Sequence, residues 1–201
     1  MLTSAQFLEP LAKHRTDEVV VTTMSVTRPW GRLSGSPLDF ASADAAMGHT
    51  ADLALGIALA RPDRKVVCLN GDGSMLMTLG TLVTITGSGA TNILLVVVEN
   101  GSYEITGHQP VPGAGTVDFG GLAAAAGFPR VYRFADPASW AGAVPDLLRS
   151  PGPTFVHVPV ERGAQGPISR TSAEEAPYLK TSLADWSRTL RAALSDAPPG
   201  R

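Results

Sequence analysis

The chain has 201 residues, a single cysteine and a formal net charge of −2, with 44% hydrophobic and 17% charged residues. That length suits one domain, or one domain plus a tail, with enough chain to bury a full core. The composition excludes a disordered chain, and without a long basic run nothing points to nucleic acid or to a membrane surface. Cys68 lies in the apolar run Val66-Val67-Cys68-Leu69, which excludes an internal disulfide and reads as a buried structural thiol. No uncharged apolar stretch of about 18 residues and no signal peptide are visible, so the expected location is the cytoplasm.

In chain order, residues 4–15 carry Phe7, Leu8 and Leu11 at helical spacing behind Ser4 as the expected cap. Residues 18–23 are β-branched and predict a strand. The polar, Pro/Gly-bearing stretch from Arg28 to Asp44 predicts a long loop on the functional edge. A buried helix is expected from Gly48 to Ala60, ending before Pro62, then a strand over Lys65–Leu69 and a helix opening at Gly73. Residues 92–98 form an unbroken apolar strand of the kind covered on both faces of a parallel sheet. Helices are expected at 118–126 and 137–148, the latter with Pro145 as a kink, and strands at 130–134 and 154–158. Residues 161–173 are Gly/Pro/polar, and residues 181–196 form a terminal helix before a fraying tail. The expected organisation is an α/β domain over 1–162, with a linker and C-terminal helix over 163–201. The alternation predicts a doubly wound, mostly parallel sheet with helices on both faces.

Ligands bind such sheets at the carboxyl ends of strands. Two strand ends stand out: Gly71-Asp72-Gly73-Ser74 and, 28 residues beyond Asp72, Asn100-Gly101-Ser102. Glycines around Asp72 permit a sharp turn and close approach of a ligand. A helix start there offers N–H groups to a phosphate, and Ser74 adds a hydroxyl. A carboxylate beside a phosphate needs a cation between them, and Mg²⁺ is the usual one. Asn100 offers an amide oxygen, and Gly101 a turn that aims the Ser102 carbonyl at the same ion. Gly-Asp-Gly alone is a common turn, as is Asn-Gly. Their pairing at two strand ends is far more specific, and no Walker or dinucleotide fingerprint competes with it.

Gly71-Asp72-Gly73-Ser74 and Asn100, with 26 residues between Gly73 and Asn100, together resemble the diphosphate motif of thiamine diphosphate (ThDP) enzymes. Met47-Gly48-His49-Thr50-Ala51-Asp52 resembles the helix before that motif in sulfopyruvate and phosphonopyruvate decarboxylases, and Asn100 to Gln109 resembles their following segment. The likeness covers roughly residues 17–160. It implies that Asp72, Asn100 and the Ser102 carbonyl ligate Mg²⁺ and that Gly73 and Ser74 contact the diphosphate. It further implies that Met47 props the bent cofactor and that the Ala45 carbonyl accepts from its amino group. Glu99 stands where relatives often carry asparagine, and Asp52 and Glu104 are more acidic than the pattern leads one to expect.

The family's chemistry also needs a glutamate on the cofactor's aminopyrimidine, carried by a separate pyrimidine-binding domain of similar size. This chain has no room for both domains. The resemblance therefore implies a partner subunit in an α₂β₂ or larger assembly. His49 and His108 are the candidate proton donors or anion contacts. Arg28 and Arg32 are candidates for a substrate anion or, more simply, solvated loop arginines. Tyr103 is expected to pack over the metal loop, and His14 and His157 read as structural. The leading expectation is a 2-oxo acid decarboxylase subunit. The alternatives are an acyloin synthase or other carboligase, a non-catalytic cofactor-binding module, and a generic nucleotide-binding α/β protein.

Overall fold

A computed structural model describes residues 1–41 and 47–195. Six strands form one parallel sheet: β1 Val19–Thr22, β2 Asp39–Ala41, β3 Val66–Gly71, β4 Ile93–Glu99 and, later in the chain, Arg130–Arg133 and Thr154–Pro159. A two-stranded antiparallel hairpin, β5 Ser102–Tyr103 with β6 Gln109–Pro110, follows β4 directly, so the last two sheet strands are β7 and β8. The order across the sheet is β2-β1-β3-β4-β8-β7.

Alternation along the strands builds two cores. Val20, Val67, Leu69, Leu94, Val96 and Val156 face one layer, where helices α1 (Ser4–His14) and α2 (Thr27–Leu33) supply Phe7, Leu8, Leu11 and Trp30. Val19, Val21, Cys68, Ile93, Leu95 and Phe155 face the other, against α3 (Thr50–Ala60) and the α4–α5 pair (Asp72–Met77, Gly80–Gly87). Helix α6 (Phe119–Ala125) joins that second layer through Phe119 and Ala123, and α7 (Pro137–Arg149) joins the first through Trp140 and Val144. Both faces are covered, which explains the unbroken apolar runs and the fully buried Cys68.

Several elements differ from the sequence expectation. Thr3, not Ser4, caps α1: its hydroxyl accepts from the Gln6 N–H while the Gln6 side chain accepts from the Thr3 N–H. The stretch expected as one long loop contains α2 and β2. Trp30 is the reason: it is completely buried, beneath the Arg15 guanidinium, and Pro29 is tolerated because it lies in the helix's first turn. The helix expected from Gly73 is two short ones, and α7 runs through Pro145. Residues 163–180, expected as a linker, lie against the domain and bury Ala176, Tyr178 and Leu179 in the first core layer. Tyr178 donates its hydroxyl to the Thr27 carbonyl, and Arg28 pairs with Glu174 at 2.6 Å. Helix α8 (Leu183–Ser195) then packs Leu190 into the second layer and anchors the Trp186 indole N–H on the Asp39 carbonyl at 2.6 Å. Among the described residues no helix is long and apolar enough to cross a membrane.

The winding reverses beside β1. The chain leaves β1 through α2 on one face to reach the outer strand β2, and α3 returns on the other face into β3. A reversal of this kind opens a crevice at the strands' carboxyl ends, and the paired motifs sit on the neighbouring ends of β3 and β4.

Candidate functional site

Asp72 is the first residue of α4, and the residue is only 3% exposed. One oxygen accepts from its neighbour Gly73 N–H at 2.9 Å and the other from Gly101 N–H at 2.8 Å. The second bond ties the β3 end to the β4 end, so the two motifs form one site. It also means that the Gly73 N–H, expected to face a phosphate, is engaged by the carboxylate: a buried charge collects whatever donors lie nearby. Burial holds the Asp72 carboxyl above its ordinary range; the bonds from Gly73 and Gly101 pull it back down, while the Glu99 charge raises it further. A cation against this carboxylate would offset that desolvation.

Asn100 is fixed at both ends of its amide. Its Oδ1 accepts from the Ser102 N–H at 3.0 Å, and its Nδ2 donates to Glu104 at 3.0 Å. The Ser102 hydroxyl is buried without a hydrogen-bond partner. Ser74 accepts from the Gly48 N–H at 3.0 Å, which brings the start of α3 and Met47 to the same place. The Tyr103 ring lies so close over Gly73 that a Cβ there would sit 2.9 Å from its Cδ1 and overlap Cε1. Glycine at 73 is therefore required by close approach of a ring, in addition to any ligand.

These residues line one pocket of about 30 Å³ with Thr23, Met24 and Ser25 from the end of β1 and Glu104 to Thr106 from the hairpin. Gly71, Asp72, Gly73, Ser74, Asn100, Ser102, Tyr103 and Met47 all belong to it. Ala45 lies outside the described residues. His49 does not line it: its ring is 65% exposed and is held by Asp52 at 2.7 Å, with Asp52 also accepting from Thr81. Nor does His108, which is exposed in the β5–β6 hairpin with a φ of 61°. Arg28 is committed to Glu174 and to the carbonyls of Gly166 and Pro167, and Arg32 to Glu175. His157, expected as structural, is buried and bonded to Glu99 at 2.8 Å.

The sequence reading missed Thr23, Met24, Ser25 and the arrangement of Glu104. The first three were findable by the strand-end rule applied to β1. Met24 carries a further mark, a left-handed φ of 46° on a non-glycine residue, of the kind that gathers at functional sites.

The polar side chains that line the pocket bring oxygen: the carboxylates of Asp72 and Glu104, the Asn100 amide and the hydroxyls of Ser74 and Ser102 among others; among the described residues no cluster of three His, Cys, Asp or Glu occurs. Such a set suits a hard cation of the Mg²⁺ type that shares its coordination with phosphate oxygens.

Comparison with known proteins agrees with this chemistry. Residues 31–158 match the family described as thiamine pyrophosphate enzyme, C-terminal TPP binding domain. The sulfopyruvate decarboxylase subunit beta of Methanothermobacter thermautotrophicus is 36% identical over 177 residues, covering 87% of this chain and 91% of that subunit. The phosphonopyruvate decarboxylase of Streptomyces viridochromogenes is 34% identical over 155 residues, but the match spans only 36% of that longer protein. Among solved structures, a chain described as a thiamin diphosphate-dependent enzyme from Mycobacterium smegmatis superposes with a TM-score of 0.68 at 26% identity, over 80% of this chain and 32% of the other. With the family domain covering more than half of its length and one relative matched over most of both chains, the protein belongs to the thiamine pyrophosphate enzymes and carries their C-terminal TPP-binding domain.

Proposed function

We propose that this chain is the diphosphate-binding subunit of a ThDP-dependent 2-oxo acid decarboxylase of the sulfopyruvate or phosphonopyruvate type. The observation that carries the reading is the buried Asp72 carboxylate bonded to Gly101, which unites two strand ends in one oxygen-lined pocket. Asp72, Asn100 and the Ser102 carbonyl would hold Mg²⁺. Gly71, Gly73 and Ser74 would contact the diphosphate, with Met47 and Tyr103 against the cofactor. Bound there, ThDP supplies the nucleophilic carbon and the electron sink that decarboxylation of a 2-oxo acid requires. The Ser74 hydroxyl, fixed as acceptor from the Gly48 N–H, would turn its own O–H to a diphosphate oxygen. Neither His49 nor His108 touches the pocket, so neither is assigned a role.

The relatives named as subunit beta support a two-chain enzyme. The partner would bring a pyrimidine-binding domain and its glutamate, completing the site in an α₂β₂ or larger assembly. The test is calorimetry of ThDP with Mg²⁺ against the purified chain, alone and with the product of a neighbouring reading frame, followed by CO₂ release from sulfopyruvate and phosphonopyruvate. Binding and turnover that require the partner are the expected result. Decarboxylation at an enzymic rate by the chain alone would refute the split site, and tight nucleotide binding without ThDP binding would refute the cofactor. Product analysis with an added acceptor aldehyde separates decarboxylation from carboligation.

A further inference from the structure

Glu104 lines the pocket and is only 6% exposed. Three N–H donors converge on its carboxylate. Asn100 Nδ2 lies at 3.0 Å and the Gly163 N–H at 3.2 Å from one oxygen, and the Gln165 N–H lies at 2.7 Å from the other. Gly163 allows this approach, because a Cβ there would sit 3.2 Å from the Glu104 carboxyl carbon. Arg162 adds a second link, donating from Nε to the Asn100 carbonyl at 3.3 Å. Farther on, Arg28 holds the same segment through the Gly166 and Pro167 carbonyls. The strap after β8 is thus fastened at one end to the loop that carries Asn100.

An ionised carboxylate only accepts hydrogen bonds, so it determines which end of a neighbouring amide is nitrogen. With Nδ2 turned to Glu104, Oδ1 is the end of Asn100 left to offer a lone pair to a cation, and the Ser102 N–H on Oδ1 agrees with that assignment. We propose that Glu104 is a positioning residue, which sets the Asn100 amide for cation binding and couples the strap at 163–165 to the cofactor loop. The metal half of this proposal rests on the reading of Asn100 as a Mg²⁺ ligand; the coupling half does not.

The experiment uses Glu104→Gln, which keeps the shape of the side chain, and Glu104→Ala, each in the full chain with its partner where one is required. Two quantities are read: the rate of tryptic cleavage at Arg162–Gly163 without cofactor, and the Mg²⁺ concentration that half-saturates ThDP binding. Glu104→Ala is expected to speed cleavage at least about tenfold. Both variants are expected to raise the half-saturating Mg²⁺ by about 10–100-fold, as for other residues that orient a metal ligand. A purely structural role would lower the melting temperature and leave the Mg²⁺ requirement of Glu104→Gln at the parental value, which overturns the positioning role whatever the change in stability. Cleavage at the parental rate in Glu104→Ala overturns the coupling. If the parent chain binds no ThDP with Mg²⁺, the function reading falls and the metal half with it, while the cleavage rates still decide the coupling.

Discussion

Replacing Asp72 by asparagine separates the fold from the cofactor. The carboxylate accepts two backbone N–H bonds, from Gly73 at 2.9 Å and from Gly101 at 2.8 Å. Asparagine keeps the shape but offers one acceptor oxygen, so one N–H is left facing an amide NH₂. Such a buried, unsatisfied donor costs about 1–3 kcal/mol, partly offset by removal of a desolvated charge. The unliganded variant is therefore expected to fold, modestly weakened. The liganded state differs more. With its partner subunit present where binding requires one, and with ThDP and Mg²⁺ at about 100 times Kd, the parent gains about 2.7 kcal/mol, which for a chain of this size raises the melting temperature by about 5–11 °C. Asp72→Asn loses the charge proposed to hold the cation, so its melting temperature is expected to stay within about 1 °C on adding both ligands. Thermal denaturation followed by fluorescence or calorimetry, with and without Mg²⁺–ThDP, measures both numbers. A full parental shift in the variant would show that Asp72 does not hold the metal and that the diphosphate site lies elsewhere.

Gly73→Ala places a methyl group in the Tyr103 ring; overpacking of about 1–3 kcal/mol competes with a helix-propensity gain of about 1 kcal/mol. ThDP affinity is expected to fall at least about tenfold by titration calorimetry, and thermal denaturation tests the clash itself: with the ring removed, Gly73→Ala/Tyr103→Ala is expected to be no less stable than Tyr103→Ala alone. Glu174 is held down to about 2 by its hydrogen bonds from Arg28. Because its folded pKa lies below its unfolded value, the stabilisation is complete above about pH 4.5 and is lost as the pH falls toward about 2. Arg28→Ala is expected to cost on the order of 1–3 kcal/mol at neutral pH, discounted for the partial exposure of Arg28 itself, and to flatten the acid limb of a urea-midpoint against pH curve; an unchanged curve refutes the pairing. Trp140→Phe removes the buried indole donor to the Phe7 carbonyl at 2.8 Å and is expected to cost about 1–3 kcal/mol through the lost hydrogen bond and the smaller ring, read as a lower urea midpoint at constant slope.

The doubly wound fold was legible because its cause is local. A strand buried on both faces must be apolar throughout, and residues 93–98 are; the helices between such strands carry their own spacing and stops. The pairing of Asp72 with Asn100 in one pocket was legible for a related reason: both immediately follow strands, where an α/β sheet binds ligands, and glycines flank them. What short-range pattern does not carry is contact at long separation. Trp30 turns an apparent loop into a helix only because the first core layer is there to bury it. Arg28, a fair candidate for an anion site by type and position, is taken by Glu174, 146 residues away. Glu104 read as an unexplained charge, and only the folded chain brings Gly163 and Gln165 onto it. The sequence by itself determined the layer architecture and the oxygen donors, since each follows from a residue and its immediate neighbours. The tertiary structure decided which charges are already spent on one another and how the strap after β8 closes on the site, since those depend on distances that no local pattern sets.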